Sequence, residues 1–343
     1  MMRAILLVLA VMMVMSGLPS HAQDEETPSW CVSVWYPSSG EATGYDSVVN
    51  NLDVIDEINP FWYAPKLEGG FNLLDGAEDT EKLAEWRAAG VQVVPTIVTF
   101  GASGMIEDPA IRALHIQNIV DLVEQWDYDG IDIDYESFKL DTRDAFSIFI
   151  EDLAAALHAN NRLLSMAVHA KTDDAGAWEG AAAQDWERLA PAVDIFRIMT
   201  YDYHNRAGEP GTIGPPEWSL AVIHYAASIV DPSKLRLGLH FYGYSWQRST
   251  TVNVITWASV QRWVESFDLE VVRDPSDMEM MVLLDQRGLP KQTIYVADGV
   301  GLEYKLDYIL DAYPTLGGVS IWGLGGEDPA NWDVLRTYTQ PCH

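Results

Sequence analysis

From residue 31 onward the chain is a succession of eight short apolar runs rich in β-branched and aromatic residues, most of them separated by stretches with helical spacing. No other feature restricts the fold as much. The runs are CVSVWY (31–36), VIDEINPFWY (54–63, broken by Pro60), GVQVVPTIVTF (90–100) and GIDIDYE (130–136). They continue with LLSMAVHA (163–170), VDIFRIMTYDY (193–203), KLRLGLHFYGY (234–244) and GGVSIWGLG (317–325). Strands alternating with helices make a parallel sheet with crossovers, and eight is the number that closes a barrel. The expectation is a (β/α)8 TIM barrel over residues 31–343. Its rival, an open doubly wound sheet, wants a glycine-rich phosphate turn after the first strand, and VWYPSSGEATG contains no GxGxxG. The longest gap, about 247–297, reads as an insertion between strands seven and eight, with a helix followed by a hairpin around QRGLPK.

The first 22 residues carry Arg3, an apolar run from Ala4 to about Met15 and a turn-rich SGLPSHA before Gln23. That pattern reads as a signal peptide over 1–22, followed by a polar spacer over 23–30. The run is shorter than the roughly 20 residues of a membrane span, so an uncleaved anchor is the weaker reading. The expectation is a secreted protein, extracellular or else periplasmic or cell-wall associated, monomeric, with no membrane contact after cleavage. Its two cysteines, Cys31 and Cys342, form a disulfide if the first and last elements are neighbours; otherwise they are unrelated thiols. Neither has a second Cys or a spaced His pair to suggest a metal. With 51 acidic against 21 basic residues, the net charge of -30 argues against nucleic acid and anionic membranes as partners.

In GIDIDYE, Asp132, Asp134 and Glu136 stand at every second position, so one face of a strand would carry all three. In a barrel only the C-terminal strand ends are open for catalysis, and Glu136 falls there. Like charges raise carboxyl pKa values, so such a cluster keeps a proton near neutral pH, and the outermost acid is suited to general acid catalysis. Two other readings compete. The acids could bind a cation through oxygen, although a straight line makes a poor cage. They could also be paired to a buried base. Arg197, Met199 and Tyr201 share one face of strand six, and Arg197 is expected to offset the charge beneath Asp132.

These residues carry a resemblance. DGIDIDYE resembles the DGxDxDxE signature of glycoside hydrolase family 18, the chitinase-like enzymes. MTYD (199–202) resembles that family's strand-six motif, and Trp322 in GGVSIWGLGGEDP its closing tryptophan. MTYDYHNRAGEPGTIGP, KLRLGLHFYGYSW and GLGGEDP are similar to the bacterial branch of spore cortex-lytic and cell-wall N-acetylglucosaminidases. The SxGG of many chitinases is absent, with PTIVTFGASG in its place. The resemblance implies cofactor-free, substrate-assisted hydrolysis of chitin or peptidoglycan glycan, with retention. Glu136 would protonate the glycosidic oxygen, Asp134 orient the substrate acetamido group, and Asp132 support Asp134 from beneath. Tyr201 would donate to the acetamido oxygen, Asp202 contact the sugar or tune the acid, and Trp322 form the floor. A non-catalytic lectin-like relative is the alternative, and retention of Glu136 argues against it. Among strand-end aromatics, Trp62 and Tyr242 are the foremost candidates for sugar stacking, with core packing as their competing fate. His169, Lys171 and His204 lie near the mouth and receive no role.

Overall fold

The computed structural model describes residues 30–37, 42–101, 103–247, 252–288, 291–338 and 342. Eight parallel strands close a barrel: β1 Cys31–Tyr36, β2 Glu57–Pro65, β3 Thr96–Phe100, β4 Gly130–Glu136, β5 Leu163–His169, β6 Ile195–Met199, β7 Leu235–His240 and β8 Gly318–Trp322. Each pairs with the next, and β1 pairs with both β2 and β8, so no edge is left open. Burial on both faces explains why the strand sequences read as near-continuous apolar runs; β1 and β7 are buried throughout. Helices return the chain between strands, among them Thr80–Ala88, Pro109–Trp126, Arg143–His158, Pro216–Ala227 and Gly299–Ala312.

Their starts are set by local chemistry. Asp79 accepts from the backbone N–H groups of Glu81 and Lys82, and Asp108 from those of Ala110 and Ile111, with Pro109 opening the helix that follows. Such caps satisfy donors that the first turn leaves unpaired.

Three runs depart from expectation. Pro60 does not break β2; it pairs with Tyr36, just before the ladder to β3 shifts register between Phe61 and Tyr63. The third run divides at Val94–Pro95 into a short strand, Gln92–Val93, and β3, both paired to β2. The seventh run also divides. β7 ends at His240, and Gly243–Gln247 runs antiparallel to Gln292–Val296 as part of the insertion. A Cβ at Gly243 would lie 2.3 Å from the Tyr295 carbonyl oxygen, so only glycine permits this close approach.

The insertion thus begins earlier than 247. It is a five-stranded antiparallel sheet in the order Val252–Ile255, Gly243–Gln247, Gln292–Val296, Met280–Leu284, Val271–Arg273. Helix Trp257–Phe267 supplies Val260 to its core with Ile255, Met280, Val282 and Ile294. The expected hairpin is present as Met280–Leu284 against Gln292–Val296.

Cys31 on β1 is bonded to Cys342, with Cα atoms 4.9 Å apart. Because β1 and β8 are neighbours, the start of β1 meets the segment that follows the last barrel strand, and the reading as unrelated thiols is set aside. The signal-peptide region 1–22 and the spacer up to residue 29 lie outside the described residues. Among the described residues no helix is long and apolar enough to cross a membrane.

Candidate active site

The inward positions of the barrel are polar. Asp132, fully buried on β4, accepts from the Trp35 indole N–H at 3.0 Å, from Thr96 Oγ1 at 2.9 Å and from Ser165 Oγ. Arg197 on β6 is also fully buried, with Nε 3.3 Å from Asp132 Oδ1. Its Nε donates to Ser165 Oγ at 2.6 Å, its Nη1 to Ser320 Oγ at 2.8 Å and to Ser33 Oγ, and its Nη2 pairs with Glu57 on β2. One guanidinium therefore lies between two carboxylates, each with further hydrogen bonds, as buried charges require. The lowest of the three acids is a structural anchor, and Arg197 stands where alternation placed it.

Above this layer the strand ends open into a cleft of about 390 Å³, lined by Trp35, Phe61, Asp134, Glu136, Met199, Tyr201, Asp202 and Trp322, among others. Asp134 is buried, and its Oδ1 has no hydrogen-bond partner among the described residues. Its carboxyl is held well above the ordinary range, by burial first and then by the charges of Glu136 and Asp132. Glu136, with a fifth of its side chain exposed, is pushed up from 4.5 to about 7. Burial is the larger cause and the nearby Asp202 carboxylate the second. The proton on the outer acid is thus kept by desolvation and a strand-six neighbour, whereas alternation along β4 pointed to the two aspartates. His169 Nδ1 lies 3.6 Å from Glu136 Oε2, and burial lowers this imidazole to about 4, so it stays neutral beside the acid.

Asp202 adopts a left-handed backbone at φ 60°, a conformation Asp tolerates better than most residues. This turn brings its Oδ1 to the phenol O–H groups of Tyr242 and Tyr244, which donate at 2.6 and 2.9 Å. The Tyr201 phenol is raised well above its usual value, by burial and then by the surrounding carboxylates, so it remains a hydrogen-bond donor. Phe61 and Trp322 pack with ring centroids 5.1 Å apart at the base of the cleft.

The structure brings Asp134, Glu136, Met199, Tyr201, Asp202 and Trp322 to one cavity, with Asp132 beneath. Tyr242 reaches the adjoining cleft and holds Asp202. Trp62 does not reach the site. It is fully buried between barrel and helices, against Trp86 and Tyr128. Neighbouring residues of a strand face opposite sides, so Phe61 occupies the cleft instead. Lys171 is buried and donates to the Gln184 carbonyl at 2.7 Å, and His204 Nδ1 meets the Thr212 carbonyl oxygen at 2.9 Å; neither lines the acidic cavity. Sequence reasoning missed Glu57, Trp35, Thr96 and the serines at 33, 165 and 320. The signal was available as small hydroxyl residues, and the pair Glu57 and Asn59, at alternate positions inside apolar strands.

Among the described residues no group of three or more His, Cys, Asp or Glu side chains is arranged to hold a metal ion. What the cavity offers is a carboxylic acid pushed up to about 7, a buried carboxyl with an open acceptor oxygen and aromatic side chains, at the end of a barrel where catalytic groups gather. That combination suits the acid chemistry of a glycoside hydrolase. The family model for glycosyl hydrolases family 18 matches residues 75–327, and the chain belongs to that family. It is similar to the uncharacterized glycosylase YvbX of Bacillus subtilis (strain 168), at 22% identity over 70% of each chain. It is also similar to the cortical fragment-lytic enzyme of Bacillus anthracis, at 23% identity over 75% of this chain and 62% of that one. Among solved structures, a chitinase from Chromobacterium violaceum ATCC 12472 superimposes with a TM-score of 0.83 at 21% identity. That match covers 90% of this chain and 98% of the other and shows a shared fold.

Proposed function

We propose that this protein hydrolyses β-1,4 bonds of N-acetylglucosamine-containing glycan, with retention, using the substrate's own acetamido group as nucleophile. The observation that carries the reading is the Oδ1 of buried Asp134, without a hydrogen-bond partner among the described residues, in the same cavity as Glu136, whose carboxyl is pushed up to about 7. An unsatisfied buried acceptor is costly, and an amide N–H from a bound acetamido group would satisfy it. In the first step Glu136 gives its proton to the glycosidic oxygen as the bond to the anomeric carbon breaks. The acetamido oxygen closes onto that carbon, and Asp134 Oδ1 accepts the acetamido N–H, a hydrogen bond that strengthens as positive charge spreads onto that group. Tyr201 donates to the acetamido oxygen, and Trp322 supports the ring. A water then attacks the anomeric carbon as the bond to the acetamido oxygen breaks, and it gives a proton to Glu136, which restores both the acid and the acetamido group and leaves a retained product. A retaining mechanism with no enzyme-bound sugar is the known exception to the two-carboxylate scheme. The apolar N-terminal segment supports export, and the monomer is the proposed state.

The test is product analysis on N-acetylglucosamine oligomers and on purified peptidoglycan, in EDTA, with wild type and Glu136→Gln. Cleavage to the retained anomer by the wild type, reduced about 10³-fold in the variant, is the expected outcome. Sugar binding without cleavage by either form would make the protein a lectin.

A further inference from the structure

The acidic cavity continues past Asp202 and Trp322 into a second cleft of about 670 Å³, lined by Asn205, Arg206, Tyr242, Tyr244 and Gly323 among others. Among the described residues Arg206 is the only cationic one lining this cleft, and it also lines a third, of about 630 Å³, that runs along the insertion sheet. The other cation there, Lys291, is paired with Asp285. In a chain with 51 acidic residues the Arg206 side chain is exposed and makes no hydrogen bond or ion pair with a described residue. Its backbone, by contrast, is pinned. The Asn205 side chain donates to the Asp202 carbonyl at 3.1 Å and accepts from the Ala207 N–H at 2.9 Å. The Trp246 indole donates to the Asn205 carbonyl at 3.3 Å, and the Tyr203 N–H to that of Ile213 at 2.9 Å. The Arg206 charge also reaches Tyr244, lowering a phenol that burial and Asp202 raise.

A cleft whose chemistry is set by carboxylates repels an anionic polymer unless a fixed cation compensates. Arginine suits that task, since its planar fork binds a carboxylate through two parallel hydrogen bonds. We propose that Arg206 is a specificity residue that binds a carboxylate on the substrate. The natural glycan would then be an amino-sugar polymer bearing carboxylate substituents, such as a lactyl ether, and not a neutral one. This rests on the glycan-hydrolase reading above and names the substrate class of that site.

The probe is a set of peptidoglycan glycan oligomers freed of peptide, compared with the same oligomers after reduction of their carboxylates to alcohols. Wild type should favour the acid form, and the preference should weaken as salt screens the charge. Arg206→Gln should lower kcat/KM on the acid form by about tenfold or more, the scale of one charged hydrogen bond, bringing the acid-to-reduced ratio near one. Arg206→Lys, keeping charge without the fork, should fall between. Equal treatment of both forms by wild type, or equal losses on both in Arg206→Gln, would overturn the proposal and leave Arg206 a solvated charge. If wild type cleaves neither form, the hydrolase reading fails, and the proposal is judged by calorimetric binding of the two forms to wild type and Arg206→Gln. A difference confined to wild type sustains it, and its absence ends it.

Discussion

Glu136 must be protonated to act, so activity should fall as pH rises through about 7. The Asp202 carboxylate supplies part of that elevation. In Asp202→Asn the alkaline limb of kcat/KM should therefore move to lower pH, whatever the loss in rate; an unmoved limb would assign the elevation to burial alone. The same shift bears on stability. Because the folded value lies above the ordinary 4.5, the folded state favours the protonated form, and this contribution is complete below about 4.5 and lost as pH rises through 7. Glu136→Gln removes the cost of burying the charge. It should be more stable than wild type by up to about 3 kcal/mol at pH 8 and no more stable at pH 4, by thermal unfolding at both. At this scale the sequence was most legible where period two met chemistry, in Asp132, Asp134, Glu136, Arg197 and Tyr201. It misplaced Trp62, because strand parity decides which of two adjacent aromatics faces the cleft, and the register shift at Phe61 and Tyr63 is not visible in composition.

The element that most shapes the cleft beyond the barrel is the insertion, and one buried acid ties the two together. Glu279 accepts from the Ile213 backbone N–H at 2.9 Å, and its Oε1 lies 3.2 Å from His240 Nε2 at the end of β7. Burial lowers Lys305 to about 8, with the Glu279 charge opposing that fall. The Lys305 ammonium donates to the Thr200 carbonyl at 3.1 Å, immediately before Tyr201 and Asp202. Glu279→Ala should strand a buried N–H and a buried cation. A loss of about 2–3 kcal/mol in urea unfolding is expected, together with a several-fold fall in kcat as Tyr201 and Asp202 lose support. Unchanged kinetics in a folded variant would show the insertion to be independent of the acid site. The sequence signalled this element as a long gap with a hairpin. It did not show that the seventh run leaves the barrel at His240, since KLRLGLHFYGY is uninterrupted in hydropathy and only pairing partners separate its halves.

For the whole molecule, closure is the governing fact. β1 meets both β2 and β8, and the Cys31–Cys342 bond, spanning 311 residues of sequence, ties Cys342 to the start of β1 beside that seam. Long closed loops are those whose unfolded state a disulfide constrains most in chain-entropy terms. The double variant Cys31→Ser/Cys342→Ser should lose about 2–5 kcal/mol and several degrees of Tm, with kcat nearly unchanged, since the bond sits at the first residue of β1, at the opposite end of that strand from Trp35 and the acid cavity. Wild type in reductant should match it. A variant of unaltered stability would mean that strand pairing alone holds the seam.

The sequence by itself determined the barrel and its acids, because both rest on short periods: alternation within a strand, helical spacing between strands, and a strand end where Glu136 falls. Tertiary structure alone decided what stands across from those residues. Glu57 facing Arg197, Asp202 raising Glu136, Phe61 taking the place expected for Trp62, and Arg206 left unpaired at the second cleft all depend on register between distant strands. That register is set by closing the whole sheet, and no local pattern contains it.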